Sequence, residues 1–345
     1  MAASALPREL TPRRLAGRAA RVAGLIAALV LVAVLAPGLD GVRDALRDAD
    51  PGWIALAVAL EVLSCASYVV MFRPIFCRAM SWRTSAEIGG AELGMGSVVP
   101  ASGIGGLALG AWILNRRGMD PGRIARRSVA FFLIKSSINF VAVAAIGFAL
   151  ATGLVGPDLS LALTALPATL SVVLIAAVGL LPRIGPGDPP PPGAGRIRRG
   201  LGAARRGVVE GVSEARVIIR TGDPLILAGA VGYWAFDNAV LWATFEAVGE
   251  APSLWIVLLG YLIGQLGGLL PIPGGVGGID GGLIGTLVVY GAPAATTTAA
   301  VLAYRLVLFW LPLAIGAAAL VALNRSVRDP GRRDLQACTP IPADA

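Results

Sequence analysis

"GGLLPIPGGVGGIDGGLIG", residues 267–285, interrupts a long apolar region with clustered glycines and two prolines. Both residue types are ill-suited to a helix interior, because glycine loses the most backbone entropy and proline lacks the N–H. In lipid, irregular backbone persists only where protein buries it or a watery cavity hydrates it. The break therefore marks a place where the chain needs something other than a plain crossing helix.

Composition puts that break in a membrane. Of 345 residues, 56% are hydrophobic and 14% charged, whereas soluble domains carry about 25% charged residues. Mean hydropathy is +0.76. Several apolar runs reach the roughly 20 residues that a crossing helix needs. They fall near residues 22–38, 52–72, 88–114, 128–150, 159–181, 224–249, 252–271, 272–290 and 293–323. The expected fold is an all-α polytopic membrane protein with about eight membrane segments.

Several function classes are disfavoured. Histidine is absent, which removes the usual proton shuttle and the commonest metal ligand. Cys65, Cys77 and Cys338 show no CxxC spacing, so neither a metal site nor a disulfide framework is expected. There is no P-loop, and the glycine clusters follow no strand, so they are not a dinucleotide fingerprint. No catalytic residue, metal or cofactor is assigned. The net charge of +8 comes almost wholly from arginines that flank apolar spans. Membrane topology accounts for them, and no nucleic-acid partner is expected.

Orientation follows from Lys and Arg in the short loops. The N-terminal arm, 1–21, carries Arg8, Arg13, Arg14, Arg18 and Arg21 and is placed in the cytoplasm. The first apolar span reads as an uncleaved membrane helix, with a cleaved signal peptide as the alternative. Loop 39–51 is mainly acidic and is placed outside. Loops 73–87 and 115–127 are both arginine-rich and are placed inside. Span 88–114 thus starts and ends on one side, which predicts a re-entrant hairpin or two short helices. Residues 182–222 hold eight arginines and "GPGDPPPPGAG". They read as an extended linker followed by a basic amphipathic helix at 196–220. The tail, 324–345, is basic again and is placed inside. Parity then makes 252–290 a second hairpin, entered from outside.

The two hairpins resemble each other. "VPASGIGGLALGAWILNRRGMDP" (99–121) and "IPGGVGGIDGGLIGTLVVYGAP" (272–293) each run proline, glycine cluster, apolar half-helix, glycine, proline. A crossing span with an internal acid precedes each, Glu61 or Asp237. A crossing span with an internal cation follows each, Lys135 or Arg305; Lys135 is the only lysine. The expectation is an inverted-topology repeat with two Gly/Pro-broken re-entrant hairpins. Its halves are 22–181 and 223–323, separated by the linker. Such repeats place a substrate site near the midplane, where broken helices meet.

A broken helix exposes backbone N–H groups at the start of its second half, and that end attracts anions. A cation at membrane depth costs about 2.5–3.5 kcal/mol and faces a cavity or a partner. Two cations and two helix N-termini would make an anion site, and the natural anion there is a lipid phosphate. Simpler readings stay open. The glycines would serve close packing. Lys135 and Arg305 would neutralise Glu61, Asp237 or Asp280, or Lys135 would snorkel to the surface. Glu92 would sit at the interface, and Asn139 and Gln265 would bond between helices.

These motifs resemble the lysylphosphatidylglycerol synthase transmembrane-region family, also called flippase-like domain proteins, over about residues 20–325. "PGGVGGID", Pro273–Asp280, resembles the family's Pro-Gly-Gly-x-Gly-x-x-Glu motif, with Asp280 in place of the glutamate. The pair Tyr304–Arg305 and the upstream "PASGIGG", Pro100–Gly106, also fit. In the multiple peptide resistance proteins a similar region flips aminoacylated phosphatidylglycerol and is fused to an aminoacyl-transferase domain. This chain has no room for that domain, so a stand-alone membrane region and no enzyme activity are expected.

The resemblance implies an integral transporter or flippase for an anionic lipid, of phosphatidylglycerol or polyprenyl-phosphate type, in the cell membrane. The expected substrate-binding residues are Arg305, Lys135, Tyr304, Asp280, Pro273, Gly274, Gly275, Gly277, Gly278, Pro100, Gly103, Gly105 and Gly106. Glu61 and Asp237 are coupling or ion-pair candidates. The alternatives are an enzyme partner in lipid-linked glycan metabolism and a lipid-binding scaffold. A homo-oligomer is left open.

Overall fold

A computed structural model describes residues 12–35, 39–98, 104–185, 187, 195–249, 251–264, 278–327 and 338, and all regular structure among them is helical. Helices α1 (Pro12–Leu35) and α2 (Asp40–Arg47) precede α3 (Pro51–Phe76). Then come α4 (Trp82–Val98), α5 (Ile104–Arg116), α6 (Pro121–Ala151), α7 (Ala165–Ile184) and α8 (Arg196–Arg220). The last four are α9 (Pro224–Val248), α10 (Leu254–Gly264), α11 (Gly278–Val289) and α12 (Ala294–Val327).

Among the described residues, α3, α6, α7, α9 and most of α12 are long and apolar enough to cross a membrane. This is a polytopic α-helical membrane protein. Between the crossing helices lie two pairs of short helices, α4 with α5 and α10 with α11, and the members of each pair pack on each other. With 11 and 12 residues, α10 and α11 each reach about 16–18 Å at 1.5 Å per residue. That is about half of a hydrocarbon core.

The helix ends show why the chain breaks where it does. Helices α3, α6 and α9 each open on Asp-Pro. Asp50, Asp120 and Asp223 accept a hydrogen bond from the backbone N–H of Gly52, Arg123 and Leu225, respectively. Proline then occupies the first turn, where its missing N–H costs nothing. Both hairpins close with one device. Gly118 (φ 97°) and Gly291 (φ 95°) take the left-handed conformation. Met119 N–H donates to Leu114 O, and Ala292 N–H donates to Leu287 O. These are glycine-terminated helix caps, with a proline just beyond each.

Helices α3 and α9 run antiparallel along their lengths. Asp50 N–H donates to Ala247 O at 2.8 Å near one end. Trp53 meets Trp242 edge-on. Ser64 Oγ donates to the Tyr233 carbonyl at 3.3 Å. Near the other end Gly229 lies against Met71, and a Cβ on the glycine would come within 2.6 Å of the Met71 nitrogen. Antiparallel leading helices are what an inverted pair of halves requires.

Several expectations shift. The first hairpin begins at Trp82, ahead of the apolar run at 88. Buried Glu87 in its first turns hides it from a hydropathy reading, yet Glu87 is paired with Arg83 at 3.0 Å and Arg117 at 3.2 Å. The acidic loop 39–51 contains α2, which buries Val42. Span 159–181 starts as a helix only at Ala165. The helix expected at 196–220 is α8, with Val209, Val212, Ala215 and Ile218 buried where it packs on α6 and α7. The expectation of no disulfide is overturned: Cys77 and Cys338 are paired, Cα atoms 5.7 Å apart, across 261 residues of sequence. Spacing rules read local motifs and cannot see a pairing so distant. Cys65 is free and buried.

Candidate functional site

The facing α3 and α9 bring acids into the apolar interior. Glu61 is 4% exposed and Asp237 is 8% exposed. The register places them opposite each other: one turn from the Ser64–Tyr233 contact along each helix leads to Glu61 and to Asp237. Each carboxylate lies within electrostatic reach of the other.

Asp237 gathers the second half around itself. Tyr304 on α12 donates to its Oδ1 at 3.1 Å. Tyr261 on α10 donates to its Oδ2. The crossing helix, the short helix and the final helix thus converge on one carboxylate.

The first half uses the same elements with the roles exchanged. Here the acid is on the hairpin: Glu92 of α4 is 2% exposed. It accepts from the Tyr68 hydroxyl of α3 at 2.7 Å. Acid and tyrosine are 24 residues apart in both halves. The expectation that Glu92 sits at an interface is corrected; the α4–α5 packing buries it. Gly110 of α5 makes the room, since a Cβ there would lie 1.5 Å from Glu92 Oε1.

The two cations differ. Arg305 donates from Nε to Asp280 Oδ1 at 2.6 Å, and its Nη2 contacts the same oxygen. Asp280 stands in the first turn of α11, where a negative charge also suits the helix dipole. Lys135 has no such clamp. Its Nζ lies 5.3 Å from the Tyr233 ring, 5.9 Å from that of Tyr68 and 6.0 Å from that of Phe132. Among the described residues it has no ion-pair or hydrogen-bond partner. It remains within electrostatic reach of Glu92 and Asp237. Aromatic faces stabilise a desolvated ammonium. Asp237 feels both Lys135 and Arg305, so the two cations and three acids, Glu61, Glu92 and Asp237, form one buried polar cluster.

Of the expected residues, the structure brings together Glu61, Lys135, Asp237, Asp280, Tyr304 and Arg305. Gly105 and Gly106 open α5, and Gly278 opens α11. A Cβ on Gly106 would sit 2.4 Å from the Glu92 carbonyl oxygen, so this glycine lets α5 lie on the α4 backbone. Pro100, Gly103, Pro273, Gly274, Gly275 and Gly277, and Gln265 with them, lie outside the described residues. Sequence reasoning missed Tyr68, Tyr233 and Tyr261. The equal spacing of acid and tyrosine in the two halves was a signal that could have found two of them.

A family model described as "Lysylphosphatidylglycerol synthase TM region" matches residues 21–316. The chain belongs to this family. The matched range runs from within α1 to within α12. A UPF0104 membrane protein of Methanothermobacter thermautotrophicus is 25% identical over 340 residues, covering 89% of this chain and 96% of its own length. A UPF0104 membrane protein of the same organism also matches over a shorter stretch, at 32% identity across 85 residues, 24% of this chain and 25% of its own length. The chain is thus a multi-pass membrane protein of the lysylphosphatidylglycerol synthase TM-region family.

Proposed function

We propose that this protein moves an anionic, phosphate-bearing lipid or lipid-linked intermediate between membrane leaflets. The observation that carries this is the polar cluster between the two hairpins. It contains two cations, one of them, Lys135, without an ion-pair partner among the described residues. A cation at membrane depth without a direct ion pair is costly, and a phosphate headgroup would pair with it directly. Arg305, released from Asp280, would give a planar, two-pronged contact to the same phosphate. In the ground state Asp280 stands in for that anion. Rocking of one half against the other would open the cluster alternately to each side. The arginine-rich loops support a location in the cell membrane with both termini cytoplasmic.

The test is flip-flop of fluorescent phosphatidylglycerol in vesicles containing the purified protein, read with a membrane-impermeant quencher. Wild type is expected to expose inner-leaflet probe, and Arg305→Ala and Lys135→Ala are expected to abolish that exposure. Equal exchange in all three proteins would remove the cations from the site. No exchange of phosphatidylglycerol or of a polyprenyl phosphate would favour a lipid-binding scaffold or an enzyme partner instead.

A further inference from the structure

Glu61 is the polar group that the lipid reading leaves without work. It is 4% exposed. Its Oε1 accepts from the Cys65 thiol at 3.5 Å. Its Oε2 is buried and has no hydrogen-bond partner. An unpartnered carboxylate oxygen in a dry interior is costly. A proton on that carboxyl lowers the cost, because it removes the charge and leaves a weaker acceptor.

The group facing it explains why the proton would be shared. Asp237 stands opposite on α9, and two carboxylates in apolar surroundings do not both ionise readily. Among the described residues, the titratable or charged groups around the pair include Cys65 on α3, Lys135 on α6, Tyr233 on α9, Tyr261 on α10, and Tyr304 and Arg305 on α12; Glu92 on α4, with its partner Tyr68, acts on Lys135, and Asp280 on α11 pairs with Arg305. Two of these hydroxyls are already committed to Asp237, those of Tyr261 and Tyr304. The nearby cation without an ion pair, Lys135, is held electrostatically by Glu92 and Asp237.

We propose that Glu61 and Asp237 form a proton-binding carboxylate pair that takes up one proton when an anionic headgroup enters the cluster. The proposal rests on the lipid reading above for the identity of the anion. With the cluster empty, ionised Asp237 balances Lys135. A headgroup phosphate at Lys135 takes over that balancing role. Asp237 then loses the counter-charge of Lys135, and the pair accepts a proton from bulk water. One negative lipid and one proton thus enter together, and the loaded cluster carries no added charge across the low-dielectric core.

Two measurements test this on the full-length protein. The first adds dihexanoyl phosphatidylglycerol to detergent-purified protein in weakly buffered solution containing a pH indicator. Uptake of about one proton per chain is expected for a single shared site. Glu61→Gln and Asp237→Asn are each expected to lose it, and Glu61→Asp to retain part. The second imposes a pH gradient on the vesicles used for flip-flop. At one proton per lipid, the leaflet ratio of probe shifts up to about tenfold per pH unit, because one unit is a tenfold ratio of proton activity. In Glu61→Gln the ratio is expected to ignore the gradient.

The outcomes separate the two ideas. Probe that moves without following the gradient, with no proton uptake, overturns the carboxylate pair and leaves lipid movement standing. A leaflet ratio that follows a sodium gradient instead also overturns it. Proton uptake without probe movement supports the pair and overturns the transport reading. Neither uptake nor movement overturns both. Should Asp237→Asn fail to yield a monodisperse protein, Glu61→Gln carries both measurements.

Discussion

The first half of this protein pairs a crossing-helix tyrosine with a hairpin acid, Tyr68 with Glu92. The second half pairs a hairpin tyrosine with a crossing-helix acid, Tyr261 with Asp237. Each half then follows with a helix bearing one half-buried cation, and among the described residues the second half locks its cation, Arg305 on Asp280. The two halves thus have opposite electrostatic settings. One half holds its charge in a closed ion pair. The other holds Lys135 among aromatic rings, with no fixed counter-ion among the described residues. Such asymmetry suits a site that must bind a charged group and release it, because a cation with a fixed partner has to break that pair first.

The largest break in this comparison is expected from Asp280→Ala. It removes the Asp280 carboxylate from a mostly buried arginine, and removing one partner of a buried pair costs about 3 kcal/mol or more. The side chains here are 13% and 6% exposed, so little solvent screening relieves the loss. Thermal unfolding in detergent should show a clear drop for Asp280→Ala. The double variant Asp280→Ala/Arg305→Ala should recover most of it. Lys135→Ala should cost much less, since it breaks no ion pair. A large loss for Lys135→Ala would mean that the two cations play the same structural role.

Gly110→Ala should come next. The added methyl would occupy the position of Glu92 Oε1, and overpacking of this kind costs about 1–3 kcal/mol. Restoring space with Gly110→Ala/Glu92→Ala should return part of the stability. No effect of Gly110→Ala would show that Glu92 does not fill that notch.

The smallest effects should come from the tyrosines. Tyr68→Phe and Tyr261→Phe each remove one interhelical hydrogen bond, worth about 0.6–1.7 kcal/mol in a membrane protein. Tyr261→Phe leaves Asp237 one hydroxyl donor, Tyr304. Tyr68→Phe leaves Glu92 with none of its hydroxyl donors, since Oε1 has no partner. Tyr68→Phe should therefore cost more, and an unfolding series that reverses the order would break the proposed equivalence of the two pairs.

Much of the architecture was legible because lipid imposes simple demands. Apolar length marked the crossing helices, and glycine followed by proline marked where α5 and α11 end. The Gly118 and Gly291 caps follow from residues that local chemistry alone requires. Legibility failed where polar groups neutralise one another. Glu87 with Arg83 and Arg117 disguised the start of the first hairpin. Glu92 looked like an interfacial acid because its partner, Tyr68, lies on another helix.

By itself the sequence determined a polytopic helical membrane protein, because backbone satisfaction in lipid leaves few alternatives to long apolar helices. Tertiary structure alone decided that α3 and α9 run antiparallel with Glu61 facing Asp237, that Arg305 is clamped by Asp280 while Lys135 rests among rings, and that Cys77 meets Cys338. These outcomes depend on register and on contacts between residues far apart in the chain. Hydropathy, charge parity and local motifs carry no information about which helix faces meet.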